Sequence, residues 1–318
     1  MLNNLNVVQS FSSSDGATKL VFELKDENLI ETVRIPQHDE VKLCISSQVG
    51  CIHKCRFCRS GGLHFERNLT AEEICSQIAS VASRYGDDTS NYHILFMGMG
   101  EPFYNYSSLL NSIYLMTSDH FSVKDITVST SGVPSAIYQF ANENITPTLA
   151  VSVVTTEQSL REDLMPHSKY FSVNQLFEAV SYYQRNKDKE VILEYVLLDN
   201  VNDDHELICY FLEMVINYSI NAEVQFIPFN SAPELPFSRP SNDKIQKTLS
   251  FAKSIYPNTI IKKSFADDIF GGCGQLLTNS IKKSNLDVAQ CKMVCRCGGS
   301  KQKPYCDRTH LDAIEERG

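Results

Sequence analysis

Cys51, Cys55 and Cys58 constrain this chain more than any other feature. Spacers of three and then two residues bring three thiolates onto one side of a single tight loop, which is what an iron–sulfur cube needs. A loop of this kind holds three of the cube's four irons. The fourth stays open for an outside ligand, and Phe57 stands where it can pack against that ligand. On the residues alone, a zinc site or a set of unrelated buried thiols is the alternative.

Around this loop the sequence alternates strands and helices. Short β-branched runs at 19–24 and 29–35, with turn residues Asp15-Gly16 before them and 26–28 between them, form a small N-terminal β appendage over residues 1–40. From 41 onward the pattern predicts strands at 41–45, 92–97, 125–129, 148–153, 191–196, 223–227 and 259–262. Helices are expected from 71 to about 83, at 107–116, from 134, from 173, at 204–218 and at 242–255. Thr70 with Glu73, and Ser172 with Gln175, read as helix-opening capping boxes. Alternation of this kind implies parallel strands with right-handed crossovers, and roughly six βα units fit. The expected architecture is α/β, a partial (βα)6 TIM-like barrel, with the cysteine loop on the ligand-binding face at the strands' C-terminal ends. Residues 41–280 form this core and 281–318 a separate short segment.

Composition narrows the setting. A length of 318 residues leaves room for a large core. No apolar run is long enough to span a membrane, and the N-terminus lacks a signal-peptide pattern, so a cytoplasmic protein is expected. Eleven cysteines in that compartment favour metal or redox chemistry over a disulfide framework. The net charge of −9 argues mildly against nucleic acid, but Lys282, Lys283, Lys292, Arg296, Lys301, Lys303 and Arg308 form a late basic run opposed only by Asp287 and Asp307. Cys75 and Cys209 fall on the apolar faces of expected helices and read as inert packing thiols.

A second loop, 97–102, is glycine-rich and follows the second core strand. Its glycines let backbone approach a ligand, and Glu101 is suited to an ammonium group. With residues 44–58 and 96–102, the blocks 128–132, 164–166, 194–199, 227–230, 267–269 and 273–275 resemble, in collinear order, the RlmN/Cfr family of radical S-adenosylmethionine (SAM) adenine methyltransferases. The resemblance runs from about 12 to 280. It implies that Cys51, Cys55 and Cys58 hold a [4Fe–4S] cluster, and that Gly100, Glu101, Ser129, Ser152 and Asn230 contact SAM. It implies that Cys273 is methylated, that Cys44 resolves the later covalent adduct by forming a disulfide with it, and that Glu31 accepts a proton. The route suits the acceptor: an adenine ring carbon is electrophilic and does not attack a sulfonium, so a carbon radical must be brought to it. The implied partners are an RNA substrate, rRNA or tRNA, and an electron donor such as flavodoxin or ferredoxin. No membrane partner is expected, and the oligomeric state is not readable. In the family a Ser-Leu-His segment stands where this chain has Ser152-Val153-Val154, and no stretch here matches the family's N-terminal helical RNA-recognition domain.

The last segment resembles the CDGSH iron–sulfur motif of mitoNEET-like proteins. Cys295, Cys297, Cys306 and His310 would bind a [2Fe–2S] cluster, with zinc on the same Cys3His set as the rival. Arg308 replaces the motif's usual glycine, and Cys291 has no assigned role. Two other readings stay open at this point: a radical SAM enzyme with a non-RNA acceptor, and a two-cluster redox protein.

Overall fold

The computed structural model describes residues 4–118 and 123–277. Two compact units divide the chain, Met1–Asn279 and Ser280–Gly318, and every described residue belongs to the first. The sites expected at Cys295, Cys297, Cys306 and His310, the late basic run and Cys291 lie outside the described residues.

The chain opens with an antiparallel meander: β1 (Asn6–Ser12), β2 (Thr18–Glu23), β3 (Leu29–Gln37) and β4 (Glu40–Cys44). The 1–40 stretch therefore joins the core edge to edge, because the β3–β4 hairpin carries the ladder straight across residue 40. The cysteine loop lies between two short paired strands, β5 (Gln48–Val49) and β6 (Arg67–Asn68). After them come α1 (Ala71–Tyr85), β7 (Tyr92–Phe96), α2 (Tyr106–Met116), β8 (Asp125–Thr130), α3 (Pro134–Ala141) and β9 (Thr148–Ser152). The run continues with α4 (Gln158–Leu164), α5 (Val173–Lys187), β10 (Val191–Leu197), α6 (His205–Asn217), β11 (Ala222–Pro228), α7 (Asn242–Ile255) and β12 (Thr259–Ile261).

One ten-stranded sheet takes these in the order β1-β2-β3-β4-β7-β8-β9-β10-β11-β12. Every pairing from β4 to β12 is parallel, as helical crossovers require. The six crossovers match the sequence expectation, although α4 and β1 were not legible in the pattern. Both capping boxes form: Thr70 accepts the Glu73 amide while Glu73 accepts that of Thr70, and Ser172 and Gln175 do the same. Gly86, in the left-handed region, ends α1.

The helices close over the sheet with apolar faces. On α1, Ile74, Ile78 and Val81 are all wholly buried, each contributing about 1.5–3 kcal/mol relative to exposure. Cys75 lies in the same core, whereas Cys209 on α6 is half-buried and donates to Glu213 within its own helix. Strand β10 alternates between helix-facing Val191, Leu193 and Tyr195 and residues on its other face, where Glu194 is equally buried. A buried carboxylate is unusual and singles out that face of the sheet. Among the described residues no helix is long and apolar enough to cross a membrane.

Candidate active site

The cysteine loop owes its shape to its own backbone. Lys54 takes a left-handed conformation at φ 54°. The Cys58 amide donates to Cys55 O at 3.1 Å and the Gly61 amide to Cys58 O at 3.0 Å. A Cβ on Gly61 would stand 2.4 Å from Cys55 O, so only glycine fits there. Cys51 and Cys55 are buried and Cys58 half-buried, all as free thiols.

The surroundings of these sulfurs fit the expected cluster. The backbone amides of His53 and Lys54 favour the Cys51 thiolate, and those of Gly61 and Ser60 the Cys58 thiolate, against the cost of burial. Burial pushes the Cys51 thiol up to about 12 and raises Cys55 and Cys58 as well, so without a cation the sulfurs stay protonated. Amide N–H groups aimed at sulfur are what a metal-bound thiolate uses. Among the described residues no three His, Cys, Asp or Glu side chains gather as for a single ion. A cube asks for something else, one thiolate on each of three irons.

Among the described residues Arg161 is the largest fully buried side chain and has no carboxylate partner. Its guanidinium donates to Ser131 O at 2.7 Å, to Ser152 O at 3.3 Å and to Val153 O, pinning the loops after β8 and β9. It also lies near enough to Cys55 for their charges to interact. Val154, where the resembled family has histidine, is buried against Cys55, Leu164 and Met165. It sits at φ 63°, a conformation that costs a β-branched residue of order 1–3 kcal/mol.

One cavity is lined by the three loop cysteines together with Gly100, Glu101, Ser129, Ser152, Glu194, Asn230 and Cys273. Glu101 is nearly wholly buried, and its oxygens accept from the Phe103 amide, Thr130 Oγ1, the Ser131 amide and Ser131 Oγ at 2.7–3.0 Å. Gly100, at φ 101°, lies so close over Gln48 that a Cβ would be 2.5 Å from its side chain. His53 rests on Tyr104 and His167, with Ser131 Oγ 2.8 Å from its Nδ1; burial holds its pKa down to about 4, so it is neutral. Its Nε2 is buried without a partner.

Ser129 and Ser152 converge on Glu194, donating to its Oε2 at 2.9 and 3.2 Å. Lys262 donates to Glu194 Oε1 at 2.6 Å. The Lys262 charge and the two serines hold the Glu194 carboxyl below its usual range despite burial.

A second cavity, of about 520 Å³, opens on the inner side of the sheet. Residues from β3, β4, β7, β10, β11 and β12 line it, Cys44, Lys262 and Cys273 among them. The two cavities share Met97, Ile227, Asn230 and Cys273. Cys273 is exposed into this space and sits in a tightly held turn. Asn230 Nδ2 donates to its carbonyl at 3.1 Å, and Gln275 takes the Gly272 amide at 3.0 Å while donating to Ser231 O and Asp267. The cysteine loop grips the same turn, since the Arg59 amide donates to Gly274 O and Ser60 Oγ to Leu276 O.

The sequence-derived residues thus divide. Cys51, Cys55, Cys58, Gly100, Glu101, Ser129 and Ser152 line the first cavity, Cys44 the second, and Asn230 and Cys273 both. Glu31 lines neither. It is buried on β3 beside Lys19 at 3.5 Å and accepts the Leu277 amide at 3.0 Å; burial raises its pKa against the Lys19 charge. Cys44 and Cys273 are separate thiols, so the disulfide that the resemblance implies is absent. Sequence reading missed Arg161, Glu194, Lys262 and His53. Glu194 left a faint signal, a carboxylate in an apolar strand; Arg161, in the polar helix α4, left none.

The Radical SAM superfamily model matches residues 45–211, and the Iron-binding zinc finger CDGSH type model matches residues 274–311. The chain is 35% identical over 279 residues to the probable dual-specificity RNA methyltransferase RlmN of Oceanobacillus iheyensis, covering 86% of this chain and 79% of that protein. It is 36% identical over 278 residues to the protein of the same name from Streptococcus gordonii, covering 85% and 77% respectively. The solved structure of a radical SAM methyltransferase from Sphaerobacter thermophilus superposes with a TM-score of 0.80 at 32% identity, over 85% of this chain and 80% of that one.

Proposed function

Since this chain belongs to the RlmN family of radical SAM methyltransferases, we propose that it methylates an adenine ring carbon in RNA, rRNA or tRNA, with Cys273 as the thiol that carries the methyl group. Cys44 is the thiol that releases the product from Cys273. The observation that carries this reading is the position of Cys273, which borders both the cavity of the cysteine triplet and the large cavity that Cys44 lines. A methyl-carrying sulfur has to meet a methyl donor on one side and an acceptor base on the other.

Cys51, Cys55 and Cys58 would hold the [4Fe–4S] cluster, and Gly100, Glu101, Ser129, Ser152 and Asn230 would line the SAM site. When bound, that pair supplies a methyl group and one-electron chemistry. The protein's own part is to orient and to move protons. Asn230 fixes the Cys273 carbonyl, and Gln275 fixes the turn on either side of the sulfur. Arg161 ties together the two loops that carry Ser131 and Ser152. The resemblance assigns the ring proton to Glu31; it lines neither cavity, so that role requires Lys19 and the Leu277 amide to release its carboxylate. Cys44 must attack as a thiolate, and its burial makes that form costly until its neighbours stabilise it.

The CDGSH-type match marks an iron-binding [2Fe–2S]-type segment, for which Cys295, Cys297, Cys306 and His310 are the proposed ligands. A flavodoxin or ferredoxin is the proposed electron donor. Clusters and free thiols both call for a reducing compartment, so the cytoplasm is the proposed location. The test is anaerobic reconstitution with SAM and total cellular RNA, followed by nucleoside mass spectrometry. Wild-type protein should yield a methylated adenine and Cys273→Ala none. Normal product from Cys273→Ala would overturn the reading.

A further inference from the structure

The thiol chemistry assigned to Cys273 requires a sulfur that has lost its proton. Its setting works against that: although Cys273 opens onto the cavity, the protein packed around it raises the thiol above its ordinary range. The question is which group opposes this.

Lys262 answers it by position. It is the first residue after β12, and its amide donates to Phe226 O at 2.8 Å, which fixes where the side chain departs. The next lysine, Lys263, lies over the Phe265 ring at 4.7 Å. Lys262 instead turns toward Glu194, 2.6 Å away, with Met97 Sδ at 3.6 Å, and shares the cavity wall with both Cys44 and Cys273. Other charged or titratable groups face this space: Glu194 and Cys44 close by, Cys58 from the cysteine loop, and Lys42, His93, Glu223 and Lys263 farther along the cavity. Of the charges acting on Cys273, Lys262 is the larger influence and Glu194 the smaller, opposing one. Lys262 favours the Cys273 thiolate and Glu194 opposes it.

We propose that Lys262 is a positioning residue that eases loss of the Cys273 thiol proton, with Glu194 limiting how much of the Lys262 charge reaches the sulfur. The thiol proton leaves to water in the cavity, and no electron is exchanged. This rests on the reading of Cys273 as the methyl-carrying thiol, but it makes a separate claim about acidity.

The test uses the full chain, anaerobically reconstituted and without SAM. Iodoacetamide modification of Cys273 is followed by peptide mass spectrometry across a pH series, for wild type, Lys262→Met, Lys262→Arg and Glu194→Gln. Removing a nearby cation should move the Cys273 profile up by about one pH unit, roughly a tenfold slower modification below the midpoint. Lys262→Arg, which keeps the charge, should stay within about threefold of wild type on the same scale. Glu194→Gln should move the profile the other way, to lower pH. That reversal does not follow from a merely structural role, and it tests the proposal even if Lys262→Met fails to fold. A Lys262→Met profile lying on that of wild type would overturn the proposal. So would Lys262→Arg behaving like Lys262→Met, or Glu194→Gln moving the profile upward. Adding SAM and weighing the Cys273 peptide tests the methyl-carrier reading independently. An unmethylated wild-type Cys273 would sink that reading and leave the pH profiles standing.

Discussion

Two groups of sulfurs face this active site, and they are assembled in opposite ways. Cys51, Cys55 and Cys58 come from one loop whose own amides and Gly61 shape it. Cys44 comes from the end of β4 and Cys273 from a turn beyond β12, and they share a cavity because strands from across the sheet line it together. The loop sulfurs have amide N–H groups provided for them. The paired sulfurs instead share their cavity with Lys262, which is ion-paired to Glu194. A site meant to hold a permanent ligand carries its stabilisation in its own backbone. A site whose sulfur must change state draws on side chains that can be tuned.

The sharpest way to break that comparison is to remove one sulfur from each group. Cys55→Ala should abolish core cluster loading, read as iron content and visible absorbance. Cys273→Ala should keep the core cluster while RNA methylation falls by at least about a thousandfold, as expected when a nucleophile is deleted. If both variants lose the cluster, the two groups are one structural unit and the distinction fails.

Gly61→Ala comes next. Its Cβ would meet Cys55 O at 2.4 Å, so the loop must shift. The expected loss is about 1–3 kcal/mol in chemical denaturation, together with reduced cluster loading. Gln275→Ala acts on the other group. It frees the Gly272 amide and the contacts to Ser231 and Asp267, costing about 1–3 kcal/mol of local order. Cys273 modification by iodoacetamide should become faster or slower while iron content stays at the wild-type level. Thr70→Ala is the smallest change and the control. It removes the α1 cap, costs about 1 kcal/mol in global stability, and should leave cluster loading and Cys273 reactivity alike.

Much of the first group was legible in the sequence. The triplet's spacing, the glycine-rich loop ending in Glu101 and the βα rhythm all act over a few residues, and short-range geometry is written in short-range pattern. The six crossovers and both capping boxes appear where the pattern puts them. Cys44 and Cys273 were singled out only through the family resemblance. Glu31 shows the limit of that approach: the match assigns it a role, yet it lines neither cavity and is tied to Lys19 and Leu277. The 1–40 stretch looked like an appendage and is the sheet's own edge, because hairpin pairing does not register as a core pattern.

What the sequence determined by itself was the chemistry available: three thiolates in one loop, a carboxylate after a glycine turn, and two further cysteines in matched blocks. What only the tertiary structure decided was which charges those sulfurs feel. Glu194 and Lys262 are remote in the chain, and nothing beside either in the sequence pairs it with the other. Coulomb interactions depend on distance through space and on the low-polarity walls around them. A linear pattern encodes neither, so the Lys262–Glu194 pair became visible only once β10 and β12 lay on either side of β11.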